Sequence, residues 1–505
     1  MKVERLWGSR LKEPADKEFI KFISGRDIQG LPPCDELLIP FDIWGNRAHT
    51  IMLWKQGVIS HNDARLIITG LKEINQLFEQ GKFSLDPSKE DVHTNIESFL
   101  IEKHGIAVGG KLHTARSRND QVTLDMALFL REKNLDFLKR IILLEDTILG
   151  LSKTHAETII PGYTHHQHAM VTTFGHLLFA YGESFLRDLL RLQHWHALFN
   201  ANPLGGAASY GTSFPIDREL TSRLLGFDQA SLSSLDLITN RGEAETEFAY
   251  AISTVMSHLS SLAQTLILFT TTEFGFVILS DRYCGGSSIM PQKRNPSALE
   301  VSKAKAAVAQ GLLSSLLSLS RGFFAGYNRD SQWTKYIIMD LIYECAEAPD
   351  IIASVLNTLT IDHERARELC QKGFITATDL MEALSHDFSL PLRQAKMVIE
   401  RAIKYSESQN AETVSWEGLK QALKELDLAV DISPDFVKEQ QEPERAVRRR
   451  KAIGGPAPEV LLKAIDTLTS HLQDVKTWLT GKENRLHASR QQLEDLEKDL
   501  INSAP

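Results

Sequence analysis

From about residue 120 the chain settles into long stretches in which apolar side chains return every three or four positions and few breakers intervene. They run roughly 121–155, 174–199, 244–275, 297–320 and 334–360. In the first, Val122, Met126, Leu128, Phe129, Leu135, Leu138, Ile141 and Leu144 follow the helical period. Each stretch exceeds a typical helix of about 11–12 residues, and no alternating strand pattern competes with it. Helices of about 25–35 residues span about 40–50 Å, the dimension of an elongated bundle. Packing such rods leaves an apolar side to bury, which predicts an oligomer.

The flanks differ. Residues 1–60 read as irregular, with Pro32-Pro33 breaking any long helix, and Ser60 then caps an amphipathic run closed by Gly81. Near 365–375 the texture shifts to shorter helical segments that lead to IGGPAP at 453–458. The last charged stretch, 482–500, carries Leu486, Leu493, Leu496 and Leu500 at helical spacing. It reads as an appended solvated helix, with a coiled-coil or partner contact as the alternative.

Composition narrows the class. A chain of 505 residues has room for roughly three domains of about 150 residues. Charged residues at 24% and hydrophobic ones at 43% are ordinary globular values, and the net charge of −9 disfavours a nucleic-acid partner. Cys34, Cys284, Cys345 and Cys370 are too scattered for a disulfide framework or a zinc CxxC pair. The N-terminal stretch lacks the apolar core of a signal peptide, and Leu266–Phe276 is interrupted by threonines and Glu273. A cytoplasmic protein with no membrane span is expected.

Several chemical signals lead nowhere. Gly105–Lys111 has phosphate-loop spacing, but Leu112 replaces the hydroxyl that would hold magnesium. The histidines of Thr164–His168 lack a local carboxylate or cysteine to complete a metal site. The basic run Arg445–Lys451 has no interleaved aromatics and reads as solvated or ion-paired.

Three polar clusters remain. Lys111–Gln121 gathers Arg116, Arg118 and Asn119 at the mouth of the first long helical run, where fork geometry and free N–H groups suit a carboxylate. An ordinary capping loop is the competing reading. Pro161–His168 carries three imidazoles, the natural acid or base near neutral pH, although any one histidine is more often structural. Gly285–Pro296 joins paired glycines, two serines, Lys293 and Asn295, the makings of a mobile loop that closes over substrate.

At this third loop, GSSIMPQKRNP resembles the shared loop of the fumarase/aspartase superfamily. KLHTARSRNDQV, DVHTNIE at 91–97, PGYTH with Gln167, Tyr327–Asp330 with Gln332 and Lys335, ATDL at 377–380, and Arg449 with GGPAP resemble the argininosuccinate lyase family in particular. The similarity runs from about Trp7 to about residue 475. It implies an all-α subunit of three parts: an N-terminal mainly helical domain (1–116), a central long-helix bundle (117–367) and a small helical domain (368–480), followed by the charged tail 481–505. It also implies a homotetramer with a helical core, whose active sites are each built from three subunits.

The implied chemistry is anti β-elimination: argininosuccinate loses a Cβ proton while its Cα–N bond breaks, giving fumarate and arginine, with no metal or organic cofactor. By motif position Ser287 matches the catalytic base, Lys293 the group that stabilises its alkoxide, His165 the other acid/base and Glu300 the carboxylate that orients it. Ser24, Arg116, Ser117, Asn119, Thr164, Ser288, Asn295, Tyr327, Gln332 and Lys335 match substrate contacts. Another N-substituted aspartate is the alternative substrate, and a non-catalytic crystallin-like role is a third reading, disfavoured because the four catalytic positions are intact. The departures cluster elsewhere: His168 stands for an Arg, Met170-Val171 for Gln-Pro, Gly242 and Ser297 each for an Asp, and Trp333-Thr334 for acidic residues. They predict altered recognition of the amine part beside intact fumarate-forming machinery.

Overall fold

The computed structural model describes residues 12–24, 30 and 32–503; Trp7 and the rest of the first eleven positions lie outside them. The expected all-α architecture is present. The N-terminal part holds α1 (Lys17–Ser24), α2 (Ile39–Lys55), α3 (His61–Glu79), α4 (Val92–His104) and the single turn α5 (Ile106–Gly109). The bundle is built from α6 (Arg118–Thr154), α7 (Phe174–Phe199), the short α8 (Arg218–Leu225) and α9 (Ser234–Thr239), then α10 (Glu243–Thr270), α11 (Ser297–Leu319), α12 (Trp333–Cys345) and α13 (Ala348–Thr358). After these come α14 (His363–Leu369), α15 (Ala377–Asp387), α16 (Leu392–Ser408), α17 (Trp416–Glu425), α18 (Pro434–Gln440), α19 (Pro443–Arg449) and α20 (Pro458–Asn502).

The long rods fall where the apolar period puts them, and local chemistry sets their ends. Ser117 opens α6 with a full capping box, its hydroxyl accepting from the backbone while Asp120 reaches back to the Ser117 N–H. Ser60 caps α3 as expected, accepting from Asp63 N–H, and Gly81 turns the chain away at φ +67°. The run 334–360 divides into α12 and α13, with Pro349 in the first turn of the second. The bundle pairs α6 with α7 and α10 with α11, and α7 against α10 joins the two pairs. By length and composition α10 could cross a membrane, yet Phe248, Ile252, Met256, Leu259 and Leu266 are buried against its neighbours in the bundle.

Three expectations need correction. Residues 1–60 are not irregular throughout: α2 is a buried helix of 17 residues. It escapes notice because it is enclosed on every side, so its apolar residues show no single face, and Asp42, Asn46 and His49 are buried among them. The second exception is a hairpin, β1 (Ile159–Thr164) with β2 (Gln167–Thr173), in a chain read as wholly helical. Third, 482–500 is not a solvated appendix. α20 runs unbroken for 45 residues, and Leu493 and Leu500 join the same apolar core as α2, α3 and α6. That core reaches from Phe19 to Leu500, while α15–α18 enclose a second one around Leu380, Val398 and Leu419.

Candidate functional site

The glycine-rich loop is closed at its neck. Gly285 and Asn295 exchange backbone hydrogen bonds of 2.8 and 2.7 Å, and the Asn295 amide donates to Gly286 C=O at 3.2 Å. The intervening residues are thrown outward, with Ser288, Met290 and Lys293 exposed. The Ser287 hydroxyl oxygen accepts from Met290 N–H at 3.0 Å and Ile289 N–H at 3.4 Å. Ser297 follows at the start of α11, and a Cβ at Gly285 would lie 2.5 Å from its Oγ, so the two positions share one small space. Glu300, in the first turn of α11, points its exposed side chain away from the core.

Thr164 and His165 occupy the exposed tip of the β1–β2 hairpin. The turn is His165-His166, both at positive φ (53° and 61°), the pattern of a two-residue type I′ hairpin. The three imidazoles of this segment thus sit on a strand-turn-strand arrangement.

Arg116 and Asn119 flank the capped start of α6. Arg116 is buried, donates from Nη2 to Leu112 C=O at 2.7 Å, and lies among carboxylates. Burial pushes its pKa down, opposed by Asp42, Asp120 and Asp125. Beneath it, His93 Nδ1 is 2.8 Å from Asp42 and 3.6 Å from Asp125, all three buried. The Asp125 carboxyl makes no hydrogen bond, and burial, then Asp42, pushes its pKa well above the usual range. Their spacing would admit an ion, and the Arg116 guanidinium is the positive charge that opposes the upward shift at Asp125. His93 was visible in DVHTNIE, whereas Asp42 lay in the helix that pattern reading missed.

The remaining contacts form a second cluster. Lys335 is ion-paired with Asp35. Gln332 accepts from Arg241 Nη2 at 3.0 Å and donates to the Tyr327 hydroxyl at 3.2 Å. Gln332, Trp333, Lys335 and Tyr336 line a cavity of about 390 Å³ whose opposite wall carries Asp35, Glu36, Asp86, Glu90 and Asp91. Two departures meet behind it: a Cβ at Gly242 (φ +109°) would lie 2.9 Å from the Thr334 methyl. Thr334 donates to Glu245 at 3.5 Å, and buried Glu245 is the chief counter-charge felt by buried Arg241. Asp35 and Arg241 went unread because each acts through a partner distant in sequence.

Ser24 closes α1, half-buried, and the five residues after it lie outside those described. Among the described residues, no hydrogen bond or ion pair joins Ser287 or Lys293 to His165, or His165 to Glu300. One protomer thus presents separate clusters: the 285–296 loop, the hairpin tip, and the α6 mouth with the Gln332–Lys335 cavity.

Residues 35–311 match the model of the lyase family. Argininosuccinate lyase of Desulforamulus reducens is 38% identical over 476 residues, 93% of this chain and 99% of that one. Argininosuccinate lyase of a Nitratiruptor species is 36% identical over 479 residues, covering 94% and 100%. Among solved structures, EDDS lyase in complex with formate superposes with a TM-score of 0.88 at 27% identity over 97% of both chains. A fumarate lyase from Mesorhizobium shares the fold at a TM-score of 0.70 and 17% identity. With relatives of this similarity aligned almost end to end, the chain belongs to the argininosuccinate lyase family, within the fumarase/aspartase superfamily.

Proposed function

We propose that the protein cleaves argininosuccinate to arginine and fumarate by anti β-elimination. The end-to-end likeness to argininosuccinate lyases, with Ser287, Lys293, His165 and Glu300 all retained, carries this reading. The proton on the succinyl Cβ is weakly acidic, so the carbanion needs a cationic cradle as its carboxylate takes up charge. Ser287 removes that proton as an alkoxide. The two N–H groups that already point at its oxygen become charge-assisted donors once it ionises, and Lys293 adds positive potential. His165, oriented by Glu300, serves the departing nitrogen. Arg116, Lys293 and Lys335 meet carboxylates, Tyr327 and Gln332 hold the rest of the substrate, and Ser24, Ser117, Asn119, Thr164, Ser288 and Asn295 add further contacts.

The catalytic groups lie apart in one protomer, which supports a homotetramer with each site shared among three subunits. Leu143 on α6, Leu190 and Leu198 on α7, Tyr250 on α10 and Leu317 on α11 leave large apolar surfaces exposed on the bundle, available for such a helical core. We place the enzyme in the cytoplasm, in arginine biosynthesis. A second reading, another N-substituted aspartate as substrate, is favoured by the likeness to EDDS lyase. Fumarate release followed by ultraviolet absorbance tests both. Turnover of argininosuccinate that is lost in Ser287→Ala supports the first. Turnover of a different N-succinyl amine, with argininosuccinate inert, selects the second, and full activity of Ser287→Ala refutes the base.

A further inference from the structure

The hairpin tip is strained backbone beside the candidate site. Non-glycine residues in the left-handed region cost of order 1–3 kcal/mol in sparsely populated conformations, and they persist only where the surroundings over-determine them. His165 and His166 form such a pair. The clamp lies one cross-strand position below Thr164 and Gln167, where Tyr163 faces His168. Their rings are 5.2 Å apart, and the Tyr163 hydroxyl is 3.3 Å from His168 Nε2. The other ring nitrogen, Nδ1, is 3.1 Å from the Lys372 carbonyl oxygen. A carbonyl can only accept, so Nδ1 carries a proton and donates to it, while Nε2 meets the Tyr163 hydroxyl.

Both neighbours are themselves anchored. A Cβ at Gly373 (φ +60°) would lie 2.9 Å from His168 Nδ1, so the turn after Lys372 is moulded to the ring. Gly373 N–H donates to the Glu412 carboxylate and Phe374 N–H to the Glu412 carbonyl, each at 2.9 Å, which ties that turn to the segment before α17. Tyr163 packs edge-on against Phe274 at 5.3 Å and near Phe269 at 6.3 Å, at the end of α10. One imidazole therefore couples the hairpin to the bundle and to the C-terminal part.

We propose that His168 is a positioning residue: its bridge from Tyr163 to the Lys372 carbonyl fixes the left-handed tip, and with it the direction in which Thr164 and His165 meet the substrate. This rests on the reading of His165 as an acid/base group. Misdirecting the tip weakens the chemical step and slackens the single Thr164 contact, whereas binding through Arg116, Gln332 and Lys335 is untouched, so kcat falls more than KM rises. In fumarate-release assays on the full chain, His168→Leu should lower kcat at least tenfold with a smaller rise in KM. His168→Asn, whose amide can still donate to the Lys372 carbonyl, should recover most of that loss. Tyr163→Phe added to His168→Leu should cost nothing further. Wild-type kcat in His168→Leu, a change confined to KM, or no recovery in His168→Asn would overturn the proposal. His165→Asn separates the two failures: full turnover there removes the acid/base reading itself, while an inactive His165→Asn beside a normal His168→Leu removes only the positioning role.

Discussion

Glu497 tests how the end of α20 is held. Its side chain is 0% exposed, takes hydrogen bonds from Arg47 at 2.6 and 2.8 Å, and lies 2.9 Å from Lys72 Nζ. Glu497→Leu puts an apolar side chain in its place on α20 and leaves two cations facing a dry surface. Removing one partner of a buried ion pair costs about 3–5 kcal/mol. The Arg47 and Lys72 side chains keep 19% and 36% exposure and can recover part of their hydration, which puts the expected loss near the lower bound, about 3 kcal/mol. Glu497→Gln preserves shape and one acceptor while discarding the charge, and should cost about 1.5–2 kcal/mol. Urea unfolding at fixed protomer concentration, followed by circular dichroism, should rank the midpoints wild type, Gln, Leu with unchanged slope. Deleting 482–505 should exceed the Leu variant, because burial of Leu493 and Leu500 contributes about 1.5–3 kcal/mol each. A Glu497→Leu midpoint equal to wild type would refute the reasoning, since the segment could then not be packed as described.

Two further predictions concern pH. Burial pushes the Asp379 pKa up to about 6, against opposing attraction from Arg450. The folded state then keeps a proton that the unfolded chain has lost, so stability falls as pH rises from about 4 to 6. Asp379→Asn should gain about 2–3 kcal/mol on wild type across that window in urea titrations, and a flat difference would contradict it. His196 is pushed down to about 3 by burial, then by Lys482 and Arg131, and rests edge-on against Trp478 at 5.2 Å. It is neutral when folded, so stability is lost as pH drops below about 6.5. His196→Leu should therefore gain about 2 kcal/mol relative to wild type on going from pH 7 to pH 5, and equal acid sensitivity of the two proteins would argue against a buried neutral ring.

How much was legible follows from where information sits in the chain. α7, α10 and α11 were readable because each buries a face and leaves the other side polar or exposed, so a 3.6-residue period remains in the sequence. α2 was not, since Ile39, Phe41, Ile43, Trp44, Ile51 and Leu53 point to every side of a fully enclosed helix. The hairpin was hidden because its turn is His-His where pattern reading looks for Asn-Gly. At the site, loops keep their motif residues contiguous, so Ser287, Lys293 and Arg116 could be picked out. Their supports could not: Lys335 and Asp35 are 300 positions apart, Arg241 and Gln332 91, His93 and Asp42 51. Only folding shows that the buried Glu245 carboxylate is the chief counter-charge of buried Arg241.

The same geometry bears on how the proposed base could work. A serine hydroxyl is far too weak an acid to ionise near neutral pH by itself, and Lys293 makes no hydrogen bond to it within the protomer. What the protomer does supply is local: the chain reverses after Ser287 so that two backbone N–H groups converge on Oγ, a stabiliser that needs no other subunit. The Gly285–Asn295 neck holds that reversal in place, and the small pair Gly285 and Ser297 lets the two arms of the neck approach. In the proposed assembly, the cationic and imidazole groups that complete the site arrive from other copies. An exposed loop is then not a defect of the isolated subunit but the condition for being covered: Ser287 would ionise only where partner charges and exclusion of water add to the N–H pair it already carries.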